Sequence, residues 1–237
     1  MPLNEIDIEA VYGARRRMDA NSFTVVNRFG EGDAATYVKR QCMHCVDPAC
    51  VSACPVKAFV KPAEGAVTYN EDLCMGCRYC MVACPFDVPA YEYDNPLSPR
   101  VRKCTMCFER FESGGAAPAC ASICPQEAIT YGKREDLLAL ARQKFQNAPG
   151  EYVDHIYGER EAGGTNWLYI SKKPFEELGF NCGLGDKPYP DLTKGYLAMV
   201  PLVHSIWPML LMGLYAFSSS RDQAAEPGQH GEEEVER

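Results

Sequence analysis

Three blocks of four cysteines, each closing on Cys-Pro, decide what this chain can fold into. They read QCMHCVDPACVSACP (Cys42, Cys45, Cys50, Cys54), LCMGCRYCMVACP (Cys74, Cys77, Cys80, Cys84) and KCTMCFERFESGGAAPACASICP (Cys104, Cys107, Cys120, Cys124). Cysteines two residues apart can aim their thiolates into one concave loop whose backbone N–H groups also face the ligand, so one turn supplies three corners of a cubane. The middle block is the bacterial ferredoxin run C-x2-C-x2-C-x3-C-P, in which the cysteine before proline serves the other cluster. Pro55, Pro85 and Pro125 fix φ and offer no N–H, so the chain bends away where its ligand has been delivered. This exchange predicts one 4Fe-4S cluster on Cys42, Cys45, Cys50 and Cys84, and a second on Cys74, Cys77, Cys80 and Cys54.

The same exchange sends Cys124 toward a partner loop that residues 1–41 do not supply. Either Cys124 completes a four-iron cluster with Cys104, Cys107 and Cys120, or the third site has three thiolates and a substitute. The substitute is Cys182, an oxygen or nitrogen ligand, or nothing, in which case a 3Fe-4S cluster results. The expected inventory is three iron-sulfur clusters, at least two of them 4Fe-4S. Structural zinc also uses C-x2-C pairs, but it takes two pairs per ion and has no use for three Cys-Pro endings. A disulfide framework fits less well, because thirteen cysteines is an odd number and the chain, at 237 residues, far exceeds a stapled miniprotein.

Composition limits the partners. Net charge is −8 with a pI near 5.1, which argues against nucleic acid. Residues 196–217, YLAMVPLVHSIWPMLLMGLYAF, carry no Asp, Glu, Lys or Arg. As a helix they would reach roughly 33 Å, enough to cross a bilayer's hydrocarbon core. Tyr196 and Tyr215 sit where interfacial aromatics belong, while Pro201, Pro208 and His204 work against a regular span. Lys187, Lys194 and Arg221 flank it without voting on orientation. Arg15–Arg17 resemble a twin-arginine signal, but the MDANSFTVVNRFG that follows is too polar to be one. An extracytoplasmic location would therefore need a partner for export.

The expected organisation is α+β: a tandem ferredoxin-like domain over residues 1–147, an irregular extension over 148–195, a transmembrane helix over 196–217 and an acidic tail over 218–237. A strand is expected at Ser22–Asn27, a hairpin in AFVKPAEGAVTYN (58–70), a short helix after each Cys-Pro, a strand in AITYG (128–132) and a helix in REDLLALARQKFQ (134–146). No nucleophile, phosphate-loop or dinucleotide motif stands out, and Gly183-Leu184-Gly185 lacks the surrounding strand and helix. No catalytic residue is assigned. His44, inside the first block, reads as a group that tunes a cluster rather than a ligand. Arg78 and Tyr79 either shift a potential or face solvent or a partner.

The combination of QCMHCVDPAC, CMGCRYCMVACPFDVPAYEYDNP and a KC-x2-C with a long insert before C-x3-CP resembles the iron-sulfur subunits of membrane-bound respiratory oxidoreductases. That family includes subunits of formate dehydrogenase, of hydrogenase-2 and of the Qrc menaquinone reductase complex. The resemblance is strong over residues 37–135 and looser toward the C-terminal apolar segment. Members usually carry four cysteine groups; this chain lacks the first, which points to the Qrc-like branch. The resemblance implies a periplasm-facing subunit that relays single electrons. One partner would be a molybdopterin-family or cytochrome c redox subunit, the other an integral membrane quinone-reactive subunit. Two other readings are a soluble polyferredoxin acting as a diffusible carrier, and a cysteine protein in which metal is scaffold only.

Overall fold

The computed structural model describes residues 11–95, 100–115 and 117–225, and the chain forms two compact units, Met1–Leu192 and Thr193–Arg237. In the first unit β1 (Val25–Phe29) pairs antiparallel with β2 (Thr36–Arg40), Val25 opposite Arg40 and Phe29 opposite Thr36. Val25, Asn27 and Phe29 point inward, the alternation of a half-buried strand. The strand expected at Ser22–Asn27 starts three residues later, because the Asp19 carboxylate accepts the N–H groups of Asn21 and Ser22 at 2.8 and 2.6 Å and holds them in a turn. The arginine tract joins this hairpin. Arg16 and Asn27 exchange two hydrogen bonds of 2.9 Å, and Arg15 lies over the Phe29 ring.

The hairpin expected in residues 58–70 forms, with β3 (Phe59–Val60) paired to β4 (Thr68–Tyr69). After the second block β5 (Ala90–Tyr91) and β6 (Val101–Arg102) repeat the arrangement. The strand expected in residues 128–132 does not form among the described residues. A strand needs a neighbour, and here the chain enters a helix at Arg134 with no returning segment. The helices also need correction. α1 (Ala49–Ser52) and α2 (Tyr79–Ala83), like α4 (Ala119–Ser122) in the third block, hold the third cysteine of their block and end before its Cys-Pro. Proline lacks the N–H to continue a helix and pushes the preceding residue out of the helical region, so the helix must come first. α3 (Phe108–Glu112) fills the insert of the third block. α5 (Arg134–Asn147) matches its expectation and buries Leu138 and Ala141 against Ile156.

Residues 148–188 are irregular, as expected, yet they are no spacer. Tyr157, Ala162, Phe175, Leu178 and Phe180 share one core with Phe29, Val38, Met43, Phe86 and Val88. Their backbone runs along the first cysteine loop: Asn166 and Trp167 donate to the Met43 carbonyl at 3.2 Å, and Val46 donates to Gly164 at 2.9 Å. Gln41 donates to the Tyr169 hydroxyl at 2.7 Å, which donates to the Lys39 carbonyl at 2.8 Å. Loop carbonyls that would otherwise be buried and unpaired are thus satisfied by the extension. Gly158 is the tightest point, with φ +98 and no room for a Cβ, which would fall 2.5 Å from the Trp167 carbonyl oxygen and closer still to Thr165 Oγ1. Gly158→Ala should therefore cost about 2–4 kcal/mol and lower the thermal midpoint by about 5–15 °C. Gly150→Ala, at φ +80 in open space, should cost less by the collision term. Equal melting temperatures for the two variants would contradict this account.

The expected span is part of a longer helix, α6 (Tyr189–Ala225), most of which lies in the second unit. Within Tyr189–Asp222 an 18-residue window reaches a mean hydropathy of 1.7, and the helix is long and apolar enough to cross a membrane. The side chains from Leu202 to Phe217 are exposed throughout. Pro201 and Pro208 lie inside the helix, and Ser205 donates back to the Pro201 carbonyl at 2.9 Å, a local bond of the kind that accommodates proline in spans. Residues 218–225, expected as tail, continue the helix. The rest of the acidic tail lies outside the described residues.

Candidate metal centres

The three blocks share a backbone that their spacing only hinted at. The residue before each second cysteine is left-handed: His44 at φ 46, Gly76 at φ 73 and Met106 at φ 58. So is the third residue after each Cys-Pro cysteine: Lys57 at φ 54, Asp87 at φ 51 and Glu127 at φ 47. Each of these donates its N–H back to the cysteine carbonyl, at 3.3, 3.3 and 3.1 Å respectively. Positive φ in non-glycine residues costs free energy and persists where the surroundings demand it. The first strain turns a C-x2-C pair inward, and the second closes a tight turn that presents Cys54, Cys84 and Cys124 alike.

Thiols from different blocks become neighbours. Burial, then Cys42, Cys84 and Cys50, drive the Cys45 thiol upward. Burial with Cys42 and Cys84 pushes Cys50 up to about 12. Cys80 rises to about 11 through burial, Cys74, Cys77 and Cys54. Cys84 thus stands with the first block and Cys54 with the second. Cys104, Cys107 and Cys120 surround Lys39. Cys42 acts on Cys104 and Cys80 acts on Cys50, so the first set is the shared neighbour of the other two. Spatial order is therefore not sequence order.

These sets fit iron-sulfur clusters on three counts. Backbone N–H groups already point at sulfur: Ala58 at Cys54 Sγ (3.2 Å), Met106 at Cys104 Sγ (3.4 Å), and Phe86 and Val88 at Cys84, whose thiol burial nonetheless raises to about 11. Thiols that resist ionisation together need a cation to displace their protons, which bound iron supplies. The second count is His44, fully buried, whose Nδ1 accepts the Val67 N–H at 2.8 Å. Burial, with Lys103, Lys61 and Lys39 nearby, holds it well below its usual range. The ring is therefore neutral with its proton on Nε2, and that N–H has no acceptor among the described residues. An orphaned buried donor costs about 1–3 kcal/mol, which a cluster sulfur in reach would relieve. The third count is the lysines themselves, which sequence reasoning missed: nothing in the pattern of Lys39, Lys61 and Lys103 distinguishes them from surface lysines.

The remaining candidates separate. Cys182 is an exposed thiol whose charged neighbours are the Glu176 and Glu161 carboxylates rather than other cysteines, and burial with these carboxylates pushes it up to about 11. Arg78 and Tyr79 are exposed, the guanidinium 5.3 Å from the Tyr91 ring centre. Leu73, Met75, Tyr79 and Val82, on either side of the exposed Cys77 in sequence, are exposed as well. Among the described residues no three Cys, His, Asp or Glu side chains converge on a single ion.

Residues 34–134 match the 4Fe-4S dicluster domain family. A protein of Nitratidesulfovibrio vulgaris (strain Hildenborough) is 49% identical over 226 residues, covering 94% of this chain and 61% of that protein. Hydrogenase-2 operon protein HybA of Escherichia coli O157:H7 is 43% identical over 183 residues, 66% of this chain and 55% of its own length. The nitrate-inducible formate dehydrogenase iron-sulfur subunit of Escherichia coli K12 is 36% identical over 168 residues, 68% and 55%. The chain spans about 55–61% of the length of these relatives. Together with the thiol geometry, the matches support a ferredoxin-like 4Fe-4S domain of mixed helix and strand.

Proposed function

We propose that this chain, with a 4Fe-4S dicluster match over residues 34–134 as the premise, is the electron-relaying subunit of a membrane oxidoreductase. Single electrons pass between a redox partner subunit and a quinone-reactive subunit in the membrane. The observation that carries this reading is the interleaving of thiols, Cys84 beside Cys42, Cys45 and Cys50, and Cys54 beside Cys74, Cys77 and Cys80. A protein that used metal only as scaffold would not need its sites coupled in this way. On this reading those two sets each hold a 4Fe-4S cluster, and Cys104, Cys107 and Cys120 hold a third with Cys124 as fourth ligand.

A bound cluster supplies a one-electron acceptor and donor. The chain's own residues do the rest. The thiolates fix each centre, the N–H groups of Ala58, Phe86, Val88 and Met106 stabilise negative sulfur, and the extension over residues 164–169 covers the first loop against water. Exposed apolar residues flanking Cys77 in sequence offer the second centre to a partner. The relatives named for hydrogenase-2 and formate dehydrogenase support a partner that is a redox enzyme subunit of the molybdopterin or a related class. The apolar helix α6 supports attachment to the membrane. The finer assignment is the Qrc-type menaquinone reductase at the periplasmic face, supported by the three-block pattern.

Iron content tests the reading. Anaerobically purified protein should hold about twelve iron and twelve sulfide per chain, or about eleven iron if the third site is 3Fe-4S. Four irons or fewer, or stoichiometric zinc, would overturn it.

A further inference from the structure

Lys103 is the only lysine or arginine buried among the described residues, at 5% exposure. Its ammonium donates to the carbonyls of Val67 and Cys104, the latter at 3.0 Å. Lys61 donates to the carbonyls of Cys45, Gly65 and His44 at 2.6, 2.8 and 3.3 Å. Lys39 donates to Gln41 at 2.8 Å and lies 4.6 Å from the centre of the Trp167 ring. Hydrogen bonds to neutral oxygens satisfy the N–H groups but leave the charge uncompensated. None of the three forms an ion pair with a carboxylate among the described residues. A buried or half-buried cation without a counter-charge is costly, so a fold that gathers one buried and two half-buried lysines at one place implies an anion there.

The thiol sets identify that anion. Lys61 stands beside Cys45, Cys42 and Cys50, Lys103 beside Cys50 and also beside Cys104, and Lys39 beside Cys120, Cys104 and Cys107. Burial lowers Lys39 and Lys61, and the thiolates oppose it. Lys61 therefore belongs to the first set, Lys39 to the third, and Lys103 to the seam between them.

We propose that Lys61, Lys103 and Lys39 are the built-in counter-charges of the first and third iron-sulfur centres and raise the reduction potentials of those two centres. The proposal rests on the three-cluster reading above. Reduction adds one electron to a centre, with no bond made or broken, and a fixed cation at short range in a poorly polarisable interior stabilises the added charge.

The test is a dithionite titration of the full chain followed by electron paramagnetic resonance, with iron content measured on each sample. Lys61→Met should lower the potential of the first centre alone, Lys39→Met that of the third alone, and Lys103→Met both. Each shift should change the reduced-to-oxidised ratio at fixed ambient potential by about tenfold, which is about 59 mV for a one-electron couple. Lys61→Arg should restore the first centre. Full iron content with all potentials unmoved overturns the proposal, as does an equal shift of all three centres. If Lys103→Met fails to fold, the more exposed Lys61 and Lys39 decide the question by their separate targets. A wild-type chain without clusters would instead defeat the underlying reading.

Discussion

Cys54→Ala is expected to remove the centre at Cys74, Cys77 and Cys80 while leaving the one beside its own sequence neighbours intact. Cys54 lies in the first block, so a reading by proximity in sequence would assign the damage to Cys42, Cys45 and Cys50. The fold turns it the other way: the turn closed by Lys57 presents the thiol outward, and Cys54 is among the groups that act on Cys80. Iron should fall from about twelve to about eight per chain, or to about eleven if a 3Fe-4S centre survives on the three remaining thiolates. A second effect follows from the Ala58 N–H, which donates to Cys54 Sγ at 3.2 Å in a fully buried position. Losing that acceptor should cost a further ~1–3 kcal/mol of stability. Cys54→Ser keeps an acceptor there and should recover part of the stability without the native cluster. Resonance signals altered only at the first set would sink the proposed exchange.

The cysteine spacing made the cluster chemistry legible because ligand geometry is written locally, in loops of a few residues. Residues 58–70 were legible for the same reason, since alternation around Pro-Ala-Glu-Gly is a short-range signal. Four things were not. Residues 128–132 look like a strand, yet pairing depends on a second segment that the sequence of the strand cannot reveal. Residues 148–188 have no periodicity, so their packing against Met43 and Val46 left no trace in the pattern. β2 reads as polar because only Val38 of its five residues is buried. Lys103 is the sharpest case, since lysine is among the residues least often buried and only its surroundings betray its position.

Deleting residues 196–237 is expected to release the iron-sulfur unit from membranes with its centres intact. The compact unit Met1–Leu192 contains every cysteine of the three blocks and both faces of the core that surrounds the first set. The removed segment contributes only α6 residues and the tail, and the apolar side chains of α6 from Leu202 to Phe217 are exposed. Exposed apolar surface on this scale is unfavourable in water and favourable in lipid or against a partner's helices, so it should act as the anchor. Iron content and reduction by dithionite should match the full chain, because neither depends on the membrane. Electron delivery to quinone depends on holding the unit beside its partner, and losing the tether removes the high effective concentration that it provides, so coupled quinone reduction should drop by about 10²-fold or more. A truncated protein that stays on membranes stripped of its partner subunits would mean that another element anchors it. Native rates of quinone reduction after truncation would favour a diffusible carrier, since such a protein meets its partner by collision and gains nothing from a tether.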